Sequence, residues 1–315
     1  MTFYTLIHVC KEEQSLHNNG FVKNFAQQIS LYLACAKQLH RSLKSERIEL
    51  IVLTNDKAFL QNLDDESYPI TVTQIPFQLQ VPSGIKFYSA HFKLDVFSYL
   101  ASLSEEYVAL VDSDMLCVNA VPEALKVIVR QKMPLYYDIT DQVTPAYGAS
   151  RIEHDKELVS EKPSFGLWAG GEFIAGPPSF FRRLRNEVND VLENYWKQAS
   201  SLHHQGDEML TSIAIERIKQ TSDIPLAEAG TLSFVARYWG YVPVHIQKPL
   251  AAYQQHFLLH LPSDKKFLSR LQPHELKGAA FFQKYRRHLS LTRTMNSLFK
   301  NMKPYAKRLR KKLAF

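Results

Sequence analysis

Two aspartates one residue apart, Asp112 and Asp114, directly follow the apolar run 107–111. Such a run is typical of a buried strand. Alternate side chains of an extended chain point the same way, so both carboxylates can face one site. Neighbouring carboxylates beside a buried strand are costly unless a cation neutralises them, and hard oxygen ligands suit Mg²⁺ or Mn²⁺. The pattern predicts a divalent-cation site at Asp112-Ser113-Asp114; a turn capped by these side chains is the alternative.

Strands and helices alternate on either side of this pair. Apolar patterns predict strands at residues 3–9, 48–53, 70–75, 107–111 and 241–246, and helices at 21–43, 87–103, 177–199 and 207–219. This alternation predicts an α/β fold with a single, mostly parallel, Rossmann-type sheet flanked by helices. Such sheets bind ligands at the carboxyl ends of their strands, which is where the aspartate pair is expected.

Two later segments carry further candidate residues. Gly170 and Gly171 lie between aromatic residues in segment 168–176, where paired glycines permit a close approach of the backbone to a ligand. Tight packing under a buried strand is the alternative. Asp207 and Glu208 open a helix and are candidates for carboxylate chemistry, with simple capping of the helix dipole as the alternative.

The stretches 88–95 and 107–118 resemble the core of the GT-A-fold retaining glycosyltransferases, above all family 8, which contains lipopolysaccharide galactosyl- and glucosyltransferases and glycogenin. In that family a helix with an Arg-Leu-Lys-Leu core precedes a strand that ends in Asp-x-Asp. This chain has His91-Phe92-Lys93-Leu94 there, so Lys93 matches. The resemblance implies a GT-A-like fold and a nucleotide-sugar donor, with Mn²⁺ or Mg²⁺ as cofactor.

The resemblance also implies roles for single residues. Segment 168–176 is similar to the family's donor-sugar segment, and a donor-sugar aspartate is expected near Asp138; a loop aspartate in water is the alternative. The segment 203–210 resembles the start of a helix that faces the sugar. Asp207 and Glu208 are therefore the predicted catalytic pair, with Asp207 at the reacting face and Glu208 orienting the sugar.

His260 and Lys266 have the spacing of the family's C-terminal His-x-x-Gly-x-x-Lys pattern. The resemblance implies that His260 completes the metal shell with Asp112 and Asp114, and that Lys266 meets the diphosphate. The predicted donor-binding residues are His8, Lys93, Asp112, Ser113, Asp138, Gly170, Gly171 and Lys266.

The net charge of +7 is unevenly distributed. Residues 276–315 hold twelve Lys and Arg and no Asp or Glu, so the rest of the chain is mildly acidic. We predict a glycosyltransferase domain at 1–270 and a basic, amphipathic, helical tail at 271–315 that docks on an anionic membrane surface. The alternatives for the tail are a solvated segment and a nucleic-acid contact. Of these partners we expect the membrane, and we expect no nucleic acid.

The predicted reaction transfers a hexose from a UDP-sugar to a hydroxyl of a cell-surface glycan or glycolipid, with retention as the resemblance implies, as in lipopolysaccharide biosynthesis. No apolar run is long enough for a transmembrane helix and no secretory leader is evident, so we expect a cytoplasmic enzyme, peripheral on the inner face of the cytoplasmic membrane. The alternatives are a sugar nucleotidyltransferase and a membrane- or nucleic-acid-associated adaptor that uses the tail.

Overall fold

A seven-stranded sheet carries the candidate residues. In the computed structural model, which describes residues 1–12, 24–64, 68–221, 224–240 and 246–294, the central strands are β1 (Thr2–Leu6), β2 (Glu49–Thr54), β3 (Thr71–Gln74) and β4 (Val108–Val111). After β5 (Met115–Cys117), the sheet continues with β6 (Leu135–Asp138), β7 (Ala169–Gly176) and β8 (Ala227–Glu228). The strand order is β3-β2-β1-β4-β7-β6-β8.

The sheet is mostly parallel, as the sequence predicts. β1 pairs in parallel with β2 and β4, and β2 with β3. Only β7 among these strands runs antiparallel to its neighbours, β4 and β6. A second sheet follows the order β5-β10-β9, in which β9 is Val235–Arg237 and β10 is Leu258–His260. The second sheet matters because β10 pairs with β5, directly after the aspartate pair.

Helices flank the sheet. They are α1 (Phe25–Lys44), α2 (Lys57–Leu63), α3 (Lys93–Ala101), α4 (Glu123–Arg130), α5 (Thr140–Tyr147), α6 (Ala149–Ser160), α7 (Pro178–Gln198), α8 (Asp207–Thr221), α9 (Lys265–Leu268) and α10 (278–294). Helix α1 packs on β2 through a cluster that includes Ile29, Leu33 and Val52. Helix α7 packs against both α3 and α8, which carry candidate residues at their first positions.

The predicted elements match the structure in kind and differ in detail. The predicted helix 87–103 is divided into a 3₁₀ turn (Tyr88–Phe92) and α3, and it begins only after Phe87, which adopts a left-handed backbone with φ of 56°. The predicted strand 241–246 falls largely on residues 241–245, which lie outside the described residues. The fold class is confirmed as mixed α/β with a mostly parallel sheet.

The predicted division at residue 270 does not coincide with a break in the packing. Helix α10 buries Phe281, Phe282, Tyr285 and Leu289 in one cluster with residues of β5, β9 and β10. These apolar side chains, which the sequence suggested for a membrane face, pack inside the protein instead. Residues 295–315, with the other seven cations of the tail, lie outside the described residues.

No helix in the described part of the chain is both long enough and apolar enough to cross a membrane.

Candidate active site

A cavity of about 250 Å³ opens where β4 ends. Its walls come from the turn after β4, the first residues of α3 and α8, and the ends of β9 and β10. Parallel strands present their carboxyl ends at one edge of a sheet, and the polar residues that follow them therefore converge. Seven of the predicted residues line this cavity: Lys93, Asp112, Asp114, Gly171, Asp207, Glu208 and His260.

Three potential metal ligands meet on one side of the cavity. One ligand atom from each of Asp112, Asp114 and His260 can be chosen so that all lie within 4.8 Å of one another. The Nε2 atom of His260 lies 3.1 Å from Asp114 Oδ1 and 3.9 Å from Asp112 Oδ2. The antiparallel pairing of His260 with Met115 places the imidazole beside the aspartates, although 146 residues separate it from Asp114. Two carboxylates and one imidazole form a plausible donor set for Mn²⁺ or Mg²⁺.

Asp114 is buried beside Lys265 and His260. Burial alone would raise its pKa, but Lys265 and His260 outweigh burial and hold the pKa well below its usual range. Lys265 donates directly to Asp114 Oδ2. In return, Asp114 raises the pKa of His260 to about 9 against the opposite effect of burial. Asp114 is therefore held between two cationic partners.

Lys93 connects the two predicted carboxylate groups. Its Nζ lies 2.8 Å from Asp112 Oδ1 and 3.0 Å from Asp207 Oδ2, and it donates to the Gly171 carbonyl at 2.7 Å. Burial opposes its charge, but Asp112 and Asp207 prevail and raise the pKa of Lys93 above its ordinary value. Lys93 is thus a fixed cation between the candidate metal ligands and the start of α8.

Glu208 is bound on both of its oxygens. Oε1 accepts from Arg237 Nη2 at 2.6 Å and from the Gly171 amide at 3.3 Å, while Oε2 accepts from Trp168 Nε1 at 3.0 Å. Burial would raise the pKa of Glu208, but Arg237 dominates and lowers it below the usual range. Asp207, by contrast, has Lys93 as its ion-pair partner. The geometry favours Asp207 over Glu208 as the carboxylate with an oxygen available to a reacting centre.

The close approach of β7 to α8 requires glycine at residue 171. A Cβ atom there would lie 2.5 Å from Asp207 Oδ2, a distance that real Cβ atoms essentially never show, and 3.2 Å from Lys93 Nζ, which is a tight contact. A side chain would therefore displace both charged groups. At Gly170 a Cβ atom would meet the Glu172 carboxylate instead, so this glycine permits a buried charge rather than a ligand contact.

Aromatic rings form the opposite wall. Phe87 stacks on His204 with ring centroids 4.9 Å apart and planes inclined at 24°. A left-handed backbone is an outlier for a bulky residue, and such strain is concentrated at functional sites. Tyr147 and Trp239 also line the cavity, and the Tyr147 side chain is 40% exposed. Flat apolar surfaces of this kind suit the apolar face of a sugar ring.

Three predicted donor residues lie elsewhere. Asp138 turns its carboxylate to the start of α5, where it accepts from the Thr140 amide at 2.9 Å and from the Thr140 hydroxyl at 2.6 Å. Ser113 is buried in the turn between the aspartates. Lys266 is exposed, and the preceding residue, Lys265, reaches the cavity in its place. The structure does not bring these three side chains to the cavity.

His8 lines a second cavity, of about 620 Å³, beside the ends of β1 and β3. Its ring stacks on Phe92 at 3.9 Å, and Asn55 and Gln74 supply polar atoms nearby. The 3₁₀ turn Tyr88–Phe92 and its preceding residue join the two cavities, since Phe92 lines the second and Phe87 the first. An aromatic floor with amide groups beside it is suited to a planar heterocycle.

The sequence reasoning missed two buried residues of the site, Glu172 and Arg237. Burial would raise the pKa of Glu172, but Arg237 lowers it to about 2. Both residues interrupt apolar strands, Glu172 in β7 and Arg237 in β9. A charged side chain inside a buried strand is rare unless it is paired, and that signal could have linked them.

The charges of the described side chains in the cavity favour the binding of one divalent cation. Five carboxylates (Asp112, Asp114, Glu172, Asp207 and Glu208) face three cations (Lys93, Arg237 and Lys265) in three groups of contacts, which His260 connects. A protonated His260 would balance the excess of two carboxylates only in part. A divalent ion beside a neutral imidazole would balance it fully. The residues present therefore fit a divalent metal.

Comparisons by sequence identify no relative: no protein-family profile matches the chain, and no curated protein matches it. Comparisons of structure do identify similar proteins. The bifunctional glycosyltransferase WbbM, in its apo form, aligns with a TM-score of 0.50 at 10% identity over 82% of this chain. The chain has a GT-A-like fold. It spans 45% of the WbbM chain.

Two structures of LgtC align at slightly lower TM-scores. An active-site mutant of LgtC gives a TM-score of 0.48 at 12% identity, covering 83% of this chain and 87% of LgtC. The galactosyltransferase LgtC in complex with donor and acceptor sugar analogs gives 0.49 at 11% identity, covering 87% and 98%. At 10% identity the WbbM comparison establishes architecture alone, and any activity must be argued from the side chains.

Proposed function

We propose that this chain is a metal-dependent glycosyltransferase that takes a hexose from a UDP-sugar. One observation carries the proposal: two aspartates, an imidazole and a lysine converge at the end of β4, opposite the carboxylates of α8. A nucleotide-sugar presents a diphosphate next to its anomeric carbon, and this cavity offers a cationic end beside a carboxylate end. The GT-A-like fold supports the same reaction class.

The proposed roles follow from these contacts. Asp112, Asp114 and His260 would hold Mn²⁺ or Mg²⁺, which when bound supplies Lewis-acid stabilisation to the departing diphosphate. Lys265 and Lys93 add positive charge at that end. Glu208, locked by its partners, orients the sugar hydroxyls. Lys93 holds the carboxylate of Asp207 in place.

Retention of configuration is the proposed outcome, with Asp207 at the reacting face. A carboxylate beside the anomeric carbon stabilises an oxocarbenium ion electrostatically or forms a covalent glycosyl intermediate. The proposed acceptor is a hydroxyl of a glycan or glycolipid, approaching past Tyr147 and Trp239.

A thermal-shift screen tests the donor and the metal together. UDP-glucose, UDP-galactose, UDP-N-acetylglucosamine and GDP-mannose are each added with Mn²⁺ or with EDTA. A ligand at 100 times its dissociation constant stabilises by about 2.7 kcal/mol, or roughly 4 °C for a chain of this size. We expect that shift for a UDP-sugar with Mn²⁺ only. Equal shifts in EDTA would contradict the metal assignment.

Three variants then locate the effect. Asp112→Asn and Asp114→Asn should abolish the Mn²⁺-dependent shift and the release of UDP. Asp190→Asn, on the exposed side of α7, is the matched control and should behave as wild type. Release of pyrophosphate from UTP and a sugar phosphate, rather than release of UDP, would instead indicate a nucleotidyltransferase.

Membrane association is a separate part of the proposal. Helix α10 presents Arg286, Arg287, Arg293 and the apolar Leu291 at the surface, while Phe281, Phe282, Tyr285 and Leu289 are buried. Each surface cation contributes on the order of 1 kcal/mol at an anionic bilayer. Cosedimentation with vesicles of phosphatidylglycerol, compared with vesicles of phosphatidylcholine, measures this contribution. Phosphatidylglycerol supplies the negative charge of the inner leaflet that the proposal requires. Equal binding to both vesicles would argue against a contact driven by the cations, and binding to neither would argue against a peripheral location.

A further inference from the structure

Arg237 is a buried cation that contacts two carboxylates on different elements. Only 5% of the residue is exposed. Its Nε lies 2.6 Å from Glu172 Oε1, and its Nη2 lies 2.5 Å from Glu172 Oε2. The same Nη2 lies 2.6 Å from Glu208 Oε1. The planar guanidinium matches the Glu172 carboxylate in a two-bond fork and reaches the second carboxylate as well.

Glu172 extends this contact to the candidate metal ligand. Its Oε1, which accepts from Arg237, also lies 3.3 Å from His260 Nδ1. Since Nδ1 faces Glu172, Nε2 is the ring nitrogen directed at Asp112 and Asp114. A carboxylate on the far nitrogen fixes the tautomer and the orientation of a ligating imidazole.

Strand register makes the arrangement rigid. β9 and β10 pair in parallel, with Arg237 opposite His260, so the two side chains lie on one face of the second sheet. Glu172 reaches them from β7 of the central sheet. The contact therefore joins the two sheets at the floor of the cavity.

We propose that Arg237 is a positioning residue that orients two parts of the donor site at once. It holds Glu208, which orients the sugar, and through Glu172 it fixes the ring of His260, which binds the metal. This inference rests on the proposed function for the roles of Glu208 and His260. It predicts that metal affinity and sugar affinity fall together when one guanidinium is changed, although Arg237 binds neither ligand in this scheme.

The test compares Arg237→Lys and Glu172→Gln with wild type. Lysine keeps the charge and loses the fork, so the variant has a better prospect of folding than one without the charge. Arg217→Lys is the matched control, because Arg217 also lies between two carboxylates, Glu187 and Asp190, away from the cavity. Near-ultraviolet circular dichroism selects folded samples, and electron paramagnetic resonance measures free Mn²⁺.

We expect the Mn²⁺ dissociation constant to rise about 10- to 100-fold in Arg237→Lys and in Glu172→Gln, as for other changes behind a ligating histidine. Arg237→Lys should also reduce the preference for UDP-sugar over UDP, because Glu208 loses its main partner. The control should change neither value. A merely structural salt bridge would lower the melting temperature and leave both affinities of the folded protein unchanged. Mn²⁺ affinity within threefold of wild type in folded Arg237→Lys overturns the inference.

A second readout separates this inference from the function on which it rests. If wild type binds neither Mn²⁺ nor a UDP-sugar, the proposed function fails, and the positioning of His260 is judged by nuclear magnetic resonance. The ring-nitrogen signals of His260, assigned by their loss in His260→Gln, should move in Arg237→Lys and stay in place in Arg217→Lys. Unmoved signals in Arg237→Lys overturn the positioning role whatever the chain catalyses.

Discussion

Replacing Lys93 by methionine tests whether the cavity is held together by charge. The Lys93 side chain is 11% exposed and touches Asp112 at 2.8 Å and Asp207 at 3.0 Å. Methionine fills similar space but leaves both carboxylates without this cation. Breaking a buried ion pair costs about 3–5 kcal/mol, and we take the middle, about 4 kcal/mol, because Asp112 is partly exposed.

The magnitude converts into a measurable shift. Unfolding entropy near 60 °C is about 2.1 cal/mol/K per residue, which gives roughly 0.66 kcal/mol/K for 315 residues. A loss of about 4 kcal/mol therefore lowers the melting temperature by about 6 °C. Differential scanning calorimetry in EDTA at pH 7.5 measures this. Lys126→Met is the control, because its exposed pair with Glu123 should contribute less than about 1 kcal/mol.

Metal adds a second outcome to the same experiment. Saturating Mn²⁺ should recover part of the loss in Lys93→Met, because a divalent ion takes over the neutralisation of Asp112. A decrease no larger than that of Lys126→Met would refute the idea that Lys93 holds the carboxylates. If the melting temperature falls by the full amount and Mn²⁺ does not restore it, the ion pairs of Lys93 are supported and metal binding by Asp112 is contradicted.

Three further outcomes are expected. Lys265→Met should raise the KM for the donor at least tenfold, and Lys266→Met should not, as measured by steady-state kinetics. The reverse result would indicate that Lys266 binds the diphosphate. Asp207→Asn should lower kcat about 100-fold or more with little change in KM, whereas Glu208→Gln should act mainly on KM; equal effects of the two would contradict their separate roles. Burial lowers the pKa of Lys156 to about 8 against the opposing pull of its ion pair, so this group destabilises the fold fully below pH 8 and progressively less as the pH rises toward its unfolded value of about 10.5. Urea denaturation should therefore show wild type gaining about 2 kcal/mol relative to Lys156→Met between pH 7.5 and 9.5, and parallel curves would refute this.

The sheet and the aspartate pair are predictable from local patterns. Residues 107–111 are apolar without interruption, which is typical of a strand buried on both faces. In the structure, β4 occupies residues 108–111. The aspartates then fall at the carboxyl end by chain order alone. His260 is a prediction of a different kind. Its proximity to Asp114 depends on a strand pairing across 146 residues, which only the family's spacing suggested.

The parts of the site that escaped prediction depend on three-dimensional neighbours. Lys265 and Lys266 are adjacent and chemically identical, and only the start of the short helix α9 decides which one points at Asp114. Asp138 follows an apolar strand as Asp112 does. Its carboxylate nevertheless turns to the first residue of α5, because Thr140 offers two donors at close range. Sequence spacing cannot distinguish these outcomes, since the competing partner lies within two residues.

Helix α10 limits how the chain can be shortened. Its Phe281 and Tyr285 are fully buried in the cluster that also contains Leu259, next to His260 on β10. Removing everything from residue 276 onward would therefore uncover the strand that bears the candidate metal ligand, and a loss of turnover would say nothing about membranes. A deletion that begins after residue 294 keeps this cover in place. Only a deletion at that position tests membrane binding without also disturbing the candidate active site.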